Sequence, residues 1–174
     1  FIGSYTTSFD FQFIYKSANL LIKSFPEVKF ILCGSGDQYH NLNKEFSKLP
    51  NCKFLGEINK FNAKTLISNS VATLAPYINN KNFNNHIPNK IIESLENNTP
   101  FITTLDGKLK SIIEKYNNGI FIPNKDIVDV SKFEKILNNQ DYRNTLKNNA
   151  KYSYKKLFNF EKTFNQIENE LCKI

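Results

Sequence analysis

Short runs of β-branched and aromatic residues alternate with longer stretches of helical period along most of this chain. That alternation constrains the fold to βαβ units and a parallel sheet. The predicted strands are Phe1 to Ser4, Val28 to Cys33, Cys52 to Leu55, Val71 to Ala75, Pro100 to Thr103 and Gly119 to Ile122. Each is a continuous apolar run, the pattern of a strand buried on both faces. Helical patterns lie between them, over Asp10–Ser24, Gln38–Lys48, Asn62–Asn69, Asn89–Asn97 and Lys108–Tyr116. In the first, Phe13, Ile14, Ala18, Leu21, Ile22 and Phe25 recur at three- and four-residue steps and give one buried face. From Val130 onward only helical patterns remain, around Phe133–Leu137, Tyr142–Tyr154 and Phe160–Leu171. The expectation is a doubly wound, mostly parallel, six-stranded Rossmann-like sheet with helices on both faces and a helical C-terminal tail. With 174 residues this is a single domain spanning 1–174.

Charge and composition narrow the partners. The formal charge is +7, yet Arg143 is the only arginine among 23 basic residues. Nucleic-acid readers lean on Arg forks and clustered basic stripes, so scattered lysines among many asparagines exclude that class. The same charge is compatible with modest attraction to anionic lipid headgroups. A mean hydropathy of −0.43, with no apolar run near the ~20 residues that cross a bilayer, points to a protein that works in water. Cys33, Cys52 and Cys172 are odd in number and lack metal-ligand spacing, which fits a reducing cytoplasm. No methionine is present, so the chain is expected to be a piece of a longer protein, with half of a functional site on a preceding domain.

Ligand-facing loops of an open α/β sheet follow the strands, and four such places here can hold a nucleotide. Gly3-Ser4 ends the first strand, where a residue without a side chain lets phosphate approach the backbone. Gly34-Ser35-Gly36-Asp37 ends the second as a glycine turn into a helix capped by Asp37. Gly56-Glu57-Ile58 follows the third and can present backbone groups to a base edge. The fourth is the segment from Asn85 to Glu93, after a polar loop from Asn79. There His86-Ile87-Pro88-Asn89-Lys90 reads as a helix entrance with Pro88 in the first turn, where its missing N–H costs nothing. The free N–H groups and positive dipole end of such a helix attract phosphate. Glu93, one turn further in, has two acceptor oxygens for vicinal hydroxyls such as those of a ribose.

Taken in order, Phe30-Ile31-Leu32-Cys33-Gly34-Ser35-Gly36, Lys53-Phe54-Leu55-Gly56, Leu74-Ala75-Pro76, Ile87-Pro88-Asn89-Lys90-Ile91-Ile92-Glu93 and Thr99-Pro100-Phe101-Ile102 resemble the C-terminal, donor-binding domain of a GT-B glycosyltransferase. The closest likeness within that fold is to family 4, the glycosyl transferases group 1, and it covers nearly the whole chain. The resemblance implies that Glu93 binds the donor ribose. It implies that backbone from Ile87 to Lys90 cradles the diphosphate, that Gly3 lies near the phosphates and that Glu57 to Asn59 touch the base. It departs from the family in two places. The first glutamate of the E-x7-E pattern is replaced by Asn85, and the basic residue after the first-strand glycine is replaced by Ser4, so that either Lys90 and His86 supply the positive charge or donor binding is weakened.

What the resemblance implies is the donor half of a bacterial, cytoplasmic, membrane-peripheral hexosyltransferase. The donor is a UDP- or GDP-hexose and the transfer retains configuration, with Asn85, Lys90 and Glu93 in catalytic roles. No cofactor or metal is called for. The acceptor is a polysaccharide, lipopolysaccharide or glycolipid, held by an absent N-terminal domain, so the isolated domain binds nucleotide without transferring sugar. Two other readings stay open: a non-catalytic transferase-like binding or assembly module, and a nucleotide-sugar epimerase of the same fold.

Overall fold

A computed structural model describes residues 1–78, 81–123 and 128–172. The elements run α1 (Phe11–Ser24), β1 (Phe30–Cys33), α2 (Tyr39–Phe46), β2 (Cys52–Gly56), α3 (Lys60–Ser68) and β3 (Thr73–Ala75). They continue with α4 (Lys81–Asn84), α5 (Asn89–Glu96), β4 (Phe101–Thr103), α6 (Lys108–Tyr116), β5 (Gly119–Phe121), α7 (Ser131–Asn138), α8 (Gln140–Leu157) and α9 (Phe160–Leu171). All named strand pairs are parallel, as successive strand–helix–strand units require.

The expected single six-stranded sheet is corrected. Among the described residues five strands form two ladders, β1-β2 and β3-β4-β5. The predicted first strand is reduced to one bridge, Ile2 to Cys33, although Phe1 and Gly3 also bond to β1. A strand exists only through its partners, and this segment has one on β1 but none on β3. β2 is also not buried on both faces: Lys53 and Leu55 are exposed, the alternation of an edge strand.

The layers follow from side-chain alternation along β4. Phe101 points into a cluster with Tyr77, Ile91, Leu95, Leu105 and Leu109, built on α5 and α6. Its neighbour Ile102 points to the other face, into a cluster with Phe13, Ile14, Leu21, Phe133 and Ile136 from α1 and α7. Helices thus cover both faces, and Leu146 and Ala150 of α8 reach one cluster each.

Three helix starts differ from expectation. Asp37 does not cap α2, which begins at Tyr39 after Gln38 without a side-chain cap bond. α3 begins earlier than its apolar pattern, because the Asn59 side chain accepts from the Asn62 N–H at 2.8 Å. Asp10, expected as the first residue of α1, is instead its N-cap, and its side chain accepts from the Phe13 N–H at 3.0 Å. Asp10→Ala is expected to cost about 1 kcal/mol, the usual value of an N-cap side chain. That corresponds to a fall in melting temperature of roughly 2–4 °C in a domain of this size; circular dichroism melts check it.

Candidate functional site

The loops after Ile2, β1 and β2 meet at one end of the sheet. The Gly34 N–H donates to the Gly56 carbonyl at 2.6 Å, and the Gly3 N–H donates to the Cys33 carbonyl at 3.0 Å. Gly34 has φ +130, and a Cβ there would sit 2.0 Å from the Gly3 carbonyl oxygen, so no other residue fits this approach. The Ser35 hydroxyl donates to the Glu57 carboxylate, tying the second loop to the third. Tyr39 stands beside Gly56, its hydroxyl 4.0 Å from the position of a Cβ there. Ser4, Glu57 and Asn59 are exposed, and Ile58 is half-buried.

The α5 entrance faces the first of these loops. Pro88 lies not in the first turn but at the N-cap, with φ −65 and ψ 146, an extended conformation outside the helix. Its carbonyl accepts from the Ile91 N–H at 2.9 Å, and no side chain caps the helix. The N–H groups of Asn89 and Lys90 therefore open toward any anion placed there. Asn85 and His86 are exposed beyond the short α4, and Ile87 packs half-buried against the α5–α6 cluster.

Lys90 reaches back from this entrance to Gly3. Its Nζ would lie 2.7 Å from a Cβ at Gly3, so the first-strand glycine leaves room for it. The ammonium is enclosed by aromatic rings, 3.8 Å from the centroid of Phe1, 4.0 Å from that of Phe9 and 5.9 Å from that of Tyr77. It has no hydrogen-bond partner. Burial pushes its pKa from 10.5 down to about 7, with nearby Glu93 acting in the opposite direction. Cation–π contact alone does not replace three lost hydrogen bonds to water. A buried, under-satisfied cation beside a glycine backbone and an uncapped helix is a site prepared for an anion.

Glu93, exposed one turn along α5, lines a cavity of about 460 Å³ together with Lys90 and Ser94. The sequence reading named Gly3, Lys90, Glu93 and the α5 entrance, and the structure gathers them. It did not find the box of Phe1, Phe9 and Tyr77. Phe9 and Tyr77 lie in separate loops joined by an antiparallel bridge, which no local pattern signals. Among the described residues no group of three or more His, Cys, Asp or Glu is placed to hold a metal ion. No described helix is long and apolar enough to cross a membrane.

A family model described as glycosyl transferases group 1 matches residues 1–153. No curated protein matches the chain. Among solved structures, the chain is similar to an S. aureus TarM mutant in complex with Fondaparinux, alpha-GlcNAc-glycerol and UDP. That match has a TM-score of 0.76 and 17% identity, covering 97% of this chain and 34% of that one. Anabaena HepE in complex with UDP and glucose gives a TM-score of 0.73 at 18% identity, covering 99% of this chain and 48% of that one. Sucrose-phosphate synthase from Thermosynechococcus elongatus gives 0.72 at 19% identity, covering 99% and 45%. The chain thus spans between a third and a half of the length of these proteins.

Proposed function

This chain belongs to the glycosyl transferases group 1 family and has the α/β fold of its GT-B neighbours, and from that premise we propose that it is the nucleotide-sugar-binding half of a hexosyltransferase. The observation that carries this reading is Lys90, whose ammonium has no hydrogen-bond acceptor and lies over Gly3 at the uncapped start of α5. A diphosphate supplies the acceptors this group lacks. In transfer, negative charge develops on the leaving nucleotide diphosphate, and the α5 dipole with Lys90 stabilises it where it forms. Glu93 takes the ribose hydroxyls, the Gly56–Glu57–Ile58 loop takes the base, and Asn85 stands toward the transferred sugar.

The presence of UDP in two of the similar structures supports a UDP-linked donor, with GDP as the other nucleotide to test. By family likeness the transfer retains configuration, and the acceptor is a glycan or lipid-linked glycan. It is held on a further, N-terminal domain of a cytoplasmic, bacterial, membrane-peripheral enzyme. The apolar stripe of α9 fits such a domain: Phe164, Ile167 and Leu171 recur on one face and are 55%, 54% and 64% exposed. Phe158 turns instead into the α5–α6 cluster, and the Phe160 side chain lies outside the described residues. A second reading, a non-catalytic binding module, is favoured by Asn85 and Ser4, which stand where the family places a glutamate and a basic residue.

Isothermal titration of the chain with UDP, GDP, UMP and GMP tests the proposal. A diphosphate is expected to bind about tenfold or more tighter than its monophosphate, because one further charged hydrogen bond contributes roughly 1.5–3 kcal/mol. Equal affinity for mono- and diphosphates would remove the role assigned to Lys90.

A further inference from the structure

α8 turns a row of positive charge outward. Leu146, Ala150 and Ser153 form its buried side, while Lys151, Tyr152, Lys155 and Lys156 are exposed and Lys147 is half-buried. Lys147, Lys151 and Lys155 recur every fourth residue and so stand in one line along the helix, with Lys156 beside its end. From Tyr142 to Leu157 the helix carries five basic residues and no Asp or Glu. Among the described residues none of these four lysines is ion-paired. Like charges four residues apart repel one another and weaken a helix. An anionic partner relieves that repulsion.

A second helix adds to the row. The Asn149 side chain donates to the Asn117 carbonyl at 3.0 Å, and the Asn118 side chain donates to the Ser153 hydroxyl at 2.8 Å, fixing the end of α6 beside the middle of α8. There Tyr116 meets Tyr152, with ring centroids 6.5 Å apart. The Lys115 ammonium lies 5.3 Å from the centroid of Tyr116, and that of Lys156 lies 5.7 Å from the centroid of Tyr152. Tyr152 is 55% exposed. We propose that this face of α6 and α8 docks the protein on an anionic lipid surface, the lysines meeting headgroup phosphates and the two tyrosines seated at headgroup level. The proposal is independent of the donor reading, since none of these residues stands at the α5 entrance.

The chemistry selects a lipid surface over a single anion. A lone phosphate is gripped by an arginine fork, but Arg143 is committed to the Ile136 and Leu137 carbonyls at the end of α7. The lysines are instead strung over roughly 14 Å of helix, a spacing that meets distributed charge. Glu114 and Asp141 are the acids on the two helices, against Lys108, Lys110 and Lys115 on α6 and the five basic residues of α8. Tyrosine rings add little to the binding of a soluble polyanion. At a bilayer their apolar bodies leave water while the hydroxyls stay in it.

Sedimentation of the full chain with vesicles tests this, using phosphatidylglycerol and phosphatidylcholine in equal parts beside phosphatidylcholine alone. Binding is expected only with the anionic vesicles and weakens as salt is raised. Lys151→Gln, Lys155→Gln and Lys156→Gln together are expected to weaken it by about a hundredfold, roughly a factor of five for each lysine. The same charge removed elsewhere, by Lys44→Gln, Lys48→Gln and Lys64→Gln, is expected to leave the affinity within about threefold. All six side chains are exposed, so both triple variants keep the melting curve of the unmodified chain. Tyr152→Ser, which keeps every lysine, is expected to weaken vesicle binding and to leave binding of soluble polyphosphate unchanged. Absence of binding to anionic vesicles, or equal losses in the two triple variants, would overturn the proposal. So would vesicle binding that Tyr152→Ser does not alter, because the row would then be a site for a soluble polyanion.

Discussion

Lys90→Met is expected to weaken diphosphate binding and to stabilise the empty domain at the same time. Methionine keeps the length of the stem and fits the aromatic box of Phe1, Phe9 and Tyr77 without a charge to desolvate. In the bound state the lost charged hydrogen bonds, roughly 1.5–3 kcal/mol, correspond to about ten- to hundredfold in affinity. In the free state the substitution removes a buried cation that has no hydrogen-bond partner, so the melting temperature rises by roughly 2–4 °C per kcal/mol recovered. Opposite signs for stability and binding distinguish a residue retained for function from one retained for packing.

The pH dependence has a defined sign. Burial lowers the Lys90 pKa in the folded chain from 10.5 to about 7, so between these values the unfolded chain binds more protons. Stability of the empty domain therefore rises with pH across that window, and Lys90→Met flattens the rise. The Phe1 amino group and Glu93 are the other titratable groups coupled to this ammonium, and both are unchanged in the variant. The difference between the two pH profiles, measured by urea unfolding, isolates Lys90. A diphosphate recharges Lys90, so binding above pH 7 is expected to take up a proton, visible as a dependence of the binding enthalpy on the buffer.

Glu93→Gln carries the other large effect, on the transfer activity of the proposed hexosyltransferase. The substitution keeps the side chain's size and removes its charge, replacing charged hydrogen bonds to the ribose by weaker neutral ones. Transfer activity is expected to fall about tenfold or more, since each 1.4 kcal/mol is a factor of ten. Stability changes little, because the side chain is exposed and a helix interior accepts Gln nearly as readily as Glu. Asn85→Ala is expected to reduce kcat if Asn85 hydrogen-bonds the donor sugar in place of the absent glutamate. Unchanged kinetics in both variants, with normal folding, would favour the non-catalytic reading.

Much of this was legible in the sequence because parallel strands buried on both faces are written as continuous apolar runs. The runs Val28 to Cys33 and Pro100 to Thr103 contain β1 (Phe30–Cys33) and β4 (Phe101–Thr103) for that reason. The first strand was read equally easily, yet it finds a partner only on β1, and no run of residues reports that. Pro88 illustrates a finer limit. Its φ of −65 suits the first turn and the N-cap alike, and only ψ, at 146, decides between them. Lys90 was legible as a charge near a helix start, but its burial was not. The rings that enclose it come from Phe1, Phe9 and Tyr77, which are brought together by the crossing of two loops.

The most direct measurement of the central claim is a map of amide chemical shifts as UDP or GDP is added to the chain. A nucleotide diphosphate at the mouth of α5 moves the resonances of residues 3 to 5, 56 to 59 and 86 to 93, with Gly3 and Lys90 among the largest. Shifts confined to other parts of the molecule would contradict the account.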